Sequence, residues 1–506
     1  MDRTEHVVKN LKFAAVSELV LAVLKFVSRR VFVLLLGKEY LGISGLFTDI
    51  LSMLSLAELG FSVSITYSLY RPVAQGDIPL IQSLMRLYRR VYRGVFVIVL
   101  GAGLSLTPFL DFFVKEMPEN VPNLSLIYVL NVVNAGVSYL FAYKSTLLFV
   151  YQKKYIDSLI RTAVAVISTV VQIAVLLLTE NYVFYLFITI GASLTQNVLI
   201  SLKADRLYPY LKEKSVLPLP AEILQDIRRN VAAMILHRIG AVAVFSTDNI
   251  LISKFAGIVT TGLYSNYIMI RGFLNVVVNA LFNAVTPALG NLNATESAQN
   301  RQSAFRRLHF FSAWLFGWMS ICLLWLYDPF IVIWLGRDYL LPRPVVLIIV
   351  VNFYVNSMRI PVANTKSVMG LFWDECYKSI LEPPLNLAVS IFLAQRWGIF
   401  GILAGTLIST IALPFWVEPL GLYRHGLKQP VGEYFLRYLG HVLLTTAAGE
   451  LTGLACSVTD QGFFGFLLKL FLCILIPNAV YLAVYRRASE FCFMKDMVER
   501  IVKKII

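Results

Sequence analysis

Runs of about 20 apolar residues recur from one end of this chain to the other, and each can cross roughly 30 Å of hydrocarbon as a helix. Of the 506 residues, 58% are apolar and only 15% are charged, against about 25% charged residues in an average soluble domain. This balance excludes a water-soluble fold, and it also excludes disordered, collagen-like and coiled-coil chains. We therefore predict an all-α polytopic membrane protein.

The distribution of Lys and Arg supports a count of about 14 transmembrane helices. When basic residues outside the helix interiors are assigned to their connections, 33 lie on the side of the two termini and six on the opposite side. Basic residues favour cytoplasmic connections, so both termini are expected in the cytoplasm. The predicted helices span 12–36, 43–69, 91–113, 124–149, 156–178, 182–202, 230–254, 260–286, 308–335, 344–369, 376–395, 398–422, 436–457 and 463–485.

A faint internal repeat predicts two lobes of six helices around a central cavity. FVLLLGKEYLGISGLF and LISKFAGIVTTGLYSNY align at an offset of 220 residues, which pairs Gly37 with Gly257 and Gly42 with Gly262. The predicted order is an N-lobe (1–202), a cytoplasmic linker (203–229), a C-lobe (230–423), helices 13 and 14 (424–487) and an amphipathic cytoplasmic tail (488–506).

Basic residues inside the predicted helices point to an anionic ligand. A cation at mid-helix costs about 2.5–3.5 kcal/mol on insertion scales, so it normally faces a partner or a hydrated cavity. Lys25 and Arg29 lie one turn apart on one face, and Arg30 points about 100° away from Arg29. The arginine fork matches phosphate oxygens. We therefore predict substrate binding by Lys25, Arg29, Arg30 and Arg271; the other embedded cations are Arg238 and Lys469.

Embedded acids offer two interpretations of the same charges. Glu58 and Asp248 are predicted to be counter-charges for these cations or carriers of a coupling ion, H⁺ or Na⁺. Alternatively, an arginine such as Arg271 pairs with Asp248 or Glu58 only to assemble the bundle.

The chain contains no phosphate-binding loop, HExxH or GxSxG motif, and its five cysteines show no CxxC spacing. We therefore predict no catalytic residues, no metal site, no bound cofactor and no enzymatic activity.

Three stretches carry a resemblance to a known family. They are SRRVFVLLLGKEYLGISGLFTDILSMLSLAELGFSVSITYSLYRPVAQGD at 28–77, LMRLYRRVYRG at 84–94 and STDNILISKFAGIVTTGLYSNYIMI at 246–270. They resemble the polysaccharide-transport flippases of the multidrug/oligosaccharidyl-lipid/polysaccharide exporter superfamily. The resemblance implies a cavity that opens alternately to either side. It also implies a substrate, undecaprenyl-diphosphate-linked oligosaccharide, moved from the inner to the outer leaflet of the bacterial cytoplasmic membrane.

The same resemblance suggests residue roles and partners. In related lipid II flippases, arginines of the first and eighth helices are thought to hold the diphosphate, and the matching positions here are Arg29 or Arg30, and Arg271. In those flippases a pair of extra helices forms a groove for the lipid tail. The implied partners are membrane lipids and a polysaccharide polymerase or glycosyltransferases, with no nucleic acid. The alternatives are a cation-coupled multidrug antiporter of the same fold and a non-transporting membrane subunit of an envelope polysaccharide assembly complex.

Overall fold

The protein is described by a computed structural model that covers residues 3–58, 61–115, 121–213, 217–229, 231, 247–371, 376–460 and 462–505. These residues form helices joined by short connections, and no strand occurs among them. Within the same ranges, seven helices are each long and apolar enough to cross a membrane. The prediction of an all-α polytopic membrane protein is confirmed.

The main helices are numbered in chain order. They are α1 (Arg3–Leu54), α2 (Phe61–Gln75), α3 (Ile78–Ser105), α4 (Leu124–Tyr139), α5 (Tyr143–Val150), α6 (Lys154–Thr179), α7 (Tyr182–Leu207), α8 (Thr247–Ala256), α9 (Ile258–Thr295), α10 (Ala298–Trp334), α11 (Arg343–Met369), α12 (Cys376–Ala412), α13 (Pro414–Gly421), α14 (Gly432–Ser457), α15 (Phe463–Tyr485) and α16 (Ser489–Ile505).

The second predicted helix, at 43–69, is broken in the structure. α1 ends at Leu54 and a 3₁₀ turn follows before α2 begins. Two serines explain the end of α1, because Ser52 Oγ donates to the Asp49 carbonyl at 2.8 Å and Ser55 Oγ to the Ser52 carbonyl at 2.6 Å. Such local bonds compete with the helical ladder. Most of the seventh predicted helix, including Arg238, lies outside the described residues.

The internal repeat appears as two matching helix junctions. α1 is interrupted at Gly37, where φ is 87°, and α8 passes into α9 at Gly257, where φ is 93°. Only glycine adopts positive φ without strain from a β-carbon. The two glycines that the repeat aligns therefore both adopt a positive φ at a junction between helices.

The second glycine pair forms a direct contact between these junctions. A β-carbon on Gly42 would overlap the carbonyl oxygen of Ile258, and one on Gly262 would crowd that of Lys38. Lys38 and Ile258 are themselves separated by the repeat offset of 220 residues. The contact is thus reciprocal under the repeat, and small residues let the two backbones approach closely.

The described chain divides into two compact units, Met1–Ser265 and Asn266–Ile506, with the boundary inside α9. One core cluster of the first unit lies between α2, α3, α5 and α7. Tyr88 is fully buried there among Ile65, Leu69 and Leu147. The lobe boundaries derived from the sequence remain a prediction.

In the second unit, three tryptophans of α10 donate hydrogen bonds to helices α14 and α15. Each indole N–H finds an acceptor, as a buried donor requires. The pairs are Trp314 with Asn478 Oδ1 at 2.7 Å, Trp318 with the Cys473 carbonyl at 3.0 Å, and Trp325 with the Gly449 carbonyl at 3.0 Å. The two extra helices are therefore an integral layer of this unit.

The predicted C-terminal tail is the helix α16, and it is docked on the second unit. Arg437 Nη1 bonds Glu490 Oε1 at 2.6 Å, and the Trp314 and Phe491 rings stack at 5.7 Å. Burial raises the pKa of Glu490, but the hydrogen bond and charge of Arg437 outweigh this effect, so the pKa lies below its ordinary value. The position of this helix on the cytoplasmic membrane surface remains a prediction.

Candidate substrate site

The three predicted cations of α1 occupy different environments. Lys25 and Arg30 are exposed, whereas Arg29 is half-buried. Nη1 of Arg29 donates to Ser265 Oγ at 3.5 Å, which is longer than the usual range of about 2.7–3.2 Å. Because α1 is helical here, Lys25 lies one turn from Arg29 on the same face.

Tyrosines surround the guanidinium of Arg29. Tyr182 and Tyr185, at the start of α7, both interact electrostatically with it. Phe32 lies edge-on to the two tyrosine rings at 5.4 and 5.5 Å. Asn181 caps α7 by accepting a bond from the Val183 N–H at 2.8 Å. The cap and the ring contacts hold both tyrosines beside Arg29.

None of the four predicted substrate-binding cations forms an ion pair with a carboxylate among the residues that the structure describes. Glu58 accepts a hydrogen bond from the Tyr92 hydroxyl. Asp248 is buried in the first turn of α8, next to Asn249, whose amide donates to Asp49 at 2.8 Å. The roles of Glu58 and Asp248 as counter-charges or ion carriers remain predictions.

Arg271, in the second unit, also lies beside a tyrosine. It is half-buried on α9 and interacts with Tyr327 of α10. The Tyr327 hydroxyl donates to the Tyr267 carbonyl at 3.2 Å, and the Tyr267 hydroxyl donates to Asp328 Oδ1 at 3.1 Å. Arg29 and Arg271 are therefore similar, because each has a half-buried guanidinium next to aromatic hydroxyl groups.

A buried charge cluster in the second unit was not recognised from the sequence. Arg359 donates to both carboxylate oxygens of Glu418, at 3.0 and 2.7 Å, and Lys378 bonds the same carboxylate. Glu382 lies 3.8 Å from Arg359. The count of basic residues assigns Arg359 and Lys378 to connections, although Arg359 lies ten residues inside the end of the predicted helix 344–369. Opposite charges on successive helices were the signal that could have identified the cluster.

The cations of this cluster are paired with carboxylates, and this pairing distinguishes them from the cations of α1. Glu418 is only 4% exposed, and a buried carboxylate is tolerated when it is paired and hydrogen-bonded. Among the described residues, two cations and two carboxylates of α11, α12 and α13 pair with one another. The cluster therefore stabilises helix packing.

Solved structures of membrane transporters share this fold. The lipid II flippase MurJ, in an inward closed conformation, gives a TM-score of 0.62 at 14% identity over 94% of this chain and 99% of that chain. An inward-facing multidrug resistance MATE transporter of the MOP superfamily gives 0.59 at 15% identity over 81% and 95%. A MOP superfamily transporter from Pyrococcus furiosus gives 0.54 at 15% identity over 85% and 98%.

The sequence matches no protein family model and no curated protein. At the identities above, the structural comparisons establish the fold alone. The chain shares the all-α polytopic fold of these transporters, and the fold that the resemblance implies is confirmed.

Proposed function

We propose that this protein is a flippase for undecaprenyl-diphosphate-linked oligosaccharides. It moves them from the inner to the outer leaflet of the bacterial cytoplasmic membrane by alternating access, with both termini in the cytoplasm. The fold, which it shares with a lipid II flippase and with multidrug transporters, supports transport. The observation that carries the substrate class is the guanidinium of Arg29, which has no carboxylate partner among the residues that the structure describes.

Arg29 is suited to bind a diphosphate because its present partners are weak. A half-buried cation that contacts only neutral hydroxyl groups lacks the counter-charge that stabilises it in an apolar environment. Ser265, at 3.5 Å, is easily replaced. Two phosphate oxygens would receive parallel charge-assisted bonds from the guanidinium fork.

The remaining predicted residues extend this site in the proposal. Lys25 and Arg30 are exposed and free to reach the same phosphates, and Arg271 is assigned as a further ligand. Glu58 and Asp248 are assigned as counter-charges when the substrate is absent, or as carriers of a coupling ion, H⁺ or Na⁺. Their competition with the diphosphate for the cations would keep binding reversible, which transport requires.

The proposal is tested by leaflet translocation in proteoliposomes with Arg29→Ala and Arg29→Lys variants. The substrate is a fluorescent lipid-diphosphate-linked oligosaccharide, and a cationic dye is measured in parallel. Each lost charge-assisted hydrogen bond is worth about 1.5–3 kcal/mol, so Arg29→Ala should lower glycolipid affinity at least tenfold. Arg29→Lys keeps the charge but loses the fork, so its affinity should be intermediate.

The matched control is Arg396→Ala. Arg396 is also a helical arginine, but it is exposed and lies over the Phe392 ring at 5.6 Å. Its removal changes the net charge equally and should leave translocation unchanged. Full glycolipid translocation by Arg29→Ala would exclude the proposed role.

A second candidate is a cation-coupled multidrug antiporter, which is favoured by the MATE transporters among the structural neighbours. Such a protein would move the cationic dye, and neutralising Arg29 would leave that movement intact or increase it. Failure to move either probe would favour the non-transporting subunit. The one assay therefore separates all three functions.

A further inference from the structure

A cavity of about 440 Å³ lies in the first unit between α2, α5 and the start of α6. Its volume is within the range of about 300–1,000 Å³ typical of small-molecule sites. None of the four predicted substrate-binding cations lines it. The cavity is therefore a separate site from the one around Arg29.

One wall of the cavity consists of hydroxyl groups. Ser62 and Thr66 come from α2, and Ser145 and Thr146 come from α5. Behind them, the Tyr88 hydroxyl donates to Ser62 Oγ at 2.9 Å and lies 3.2 Å from Thr146 Oγ1. A hydroxyl group has one donor and two acceptor positions, so each retains bonding capacity toward the cavity.

The positions of these hydroxyl groups are held by a buried chain of tyrosines. Tyr88 Oη lies 3.3 Å from Tyr92 Oη, and Tyr92 in turn donates to Glu58. Tyr88 is fully buried and packs against Tyr92 with ring centroids 4.7 Å apart. A polar wall fixed in this way costs a ligand little ordering free energy.

Aromatic rings form the apolar part of the cavity. Tyr67 and Tyr70 lie on α2, and Phe149 lies on α5. Their side chains are 73%, 47% and 44% exposed, so their faces are not covered by this unit. Exposed aromatic faces next to fixed hydroxyl groups can pack against the C–H face of a sugar ring while its hydroxyls are hydrogen-bonded.

The charge of the cavity disfavours an organic cation. Asp157 is buried, and its Oδ2 already accepts a bond from Arg161 Nε at 2.7 Å. Its Oδ1 has no hydrogen-bond partner among the described residues. Lys154 adds a positive charge to the lining and lies over the Phe149 ring at 5.6 Å. One neutralised carboxylate and one further cation do not attract a positive ligand.

We propose that this cavity binds one or two rings of a neutral saccharide. The sugar hydroxyls bond the serine and threonine side chains, and a ring face packs on Tyr67. This assignment rests on the proposed function, because it supplies a site for the glycan part of the lipid-linked substrate. It separates recognition of the glycan from that of the diphosphate.

The test is saturation-transfer NMR on the full chain in nanodiscs. The probes are a library of neutral di- and trisaccharides of hexoses, N-acetylhexosamines and deoxyhexoses, with tetraphenylphosphonium as the cationic probe. The variants are Tyr67→Ala, which removes an exposed ring, and Thr146→Val, which removes a hydroxyl at constant shape. Tyr377→Ala is the control, because Tyr377 is an exposed tyrosine on α12, at 47%, and does not line the cavity.

We expect at least one saccharide to bind and its affinity to fall about five- to tenfold in Tyr67→Ala and in Thr146→Val. Binding should be unchanged in Tyr377→Ala. The assignment is overturned if no saccharide binds, or if both cavity variants bind the saccharide as tightly as the wild type. So does displacement of a bound sugar by tetraphenylphosphonium.

Failure of this inference is distinct from failure of the proposed function. Glycolipid translocation that depends on Arg29, without saccharide binding in the cavity, would retain the flippase and reject the glycan site. Saccharide binding that depends on Tyr67 in a protein unable to translocate the glycolipid would retain the site and reject the flippase.

Discussion

Replacing Gly262 by alanine adds a single β-carbon where α9 and α1 touch through their backbones. That carbon would lie 3.0 Å from the backbone nitrogen of Gly42 and closer still to the carbonyl oxygen of Lys38. Neither atom belongs to a side chain that could rotate away. The helices must therefore separate, and their contact is lost over several residues.

The expected cost follows from two opposing effects. Overpacking a well-packed contact costs about 1–3 kcal/mol, and the upper end applies here because the obstacle is backbone. Alanine recovers about 0.5–1 kcal/mol through its higher helix propensity. The net destabilisation is about 2 kcal/mol, which corresponds to a fall in Tm of about 2–4 °C for a chain of this size.

The assay is thermal unfolding of the purified protein in detergent, followed by tryptophan fluorescence. Gly191→Ala is the matched control, because Gly191 lies in α7 and its added β-carbon meets open space. The control should leave Tm unchanged or raise it slightly. An equal effect of Gly262→Ala and Gly191→Ala would refute the contact.

The reciprocal glycine provides a second check. Gly42→Ala should be destabilising for the same reason, since its β-carbon would overlap the Ile258 carbonyl. Once one substitution has separated the helices, the other has room. The double variant should therefore cost less than the sum of the two single variants, and strict additivity would contradict a shared interface.

Further predictions concern the second unit. Arg359→Met removes two of the three bonds that the buried Glu418 carboxylate accepts and leaves only that of Lys378, so it should destabilise by about 3–5 kcal/mol. Arg359→Met combined with Glu418→Gln should cost less than the sum in thermal unfolding. Trp318→Phe removes one hydrogen bond to α15 and should cost about 1 kcal/mol in the same assay. Glu490→Gln should release α16, seen as increased mobility of a spin label on the exposed Cys492. Because the folded pKa of Glu490 is lowered, its contribution is complete at neutral pH and is lost as the pH falls through that pKa. Wild-type α16 should therefore loosen on acidification, and Glu490→Gln should show no such transition.

The sequence alone determined the class of fold and most helix positions. Apolar runs of membrane-spanning length require helices, because backbone groups in hydrocarbon must be satisfied within the segment. The predicted segments 156–178 and 463–485 correspond closely to α6 (Lys154–Thr179) and α15 (Phe463–Tyr485). The pairing of Gly37 with Gly257 was also visible from the sequence, because the two glycines align in the internal repeat, and glycine adopts positive φ most readily.

Only the tertiary structure decided which charges are paired. The sequence placed Arg29, Arg359 and Glu418 in or near apolar segments, and nothing local distinguishes an arginine that meets a carboxylate from one that meets hydroxyl groups. That difference depends on which helices become neighbours. Arg359 and Glu418 are 59 residues apart in the sequence and lie on different helices. Arg29 and Ser265 are 236 residues apart. Which charges become partners over such separations is decided by helix packing, and packing leaves Arg29 without a carboxylate partner among the described residues.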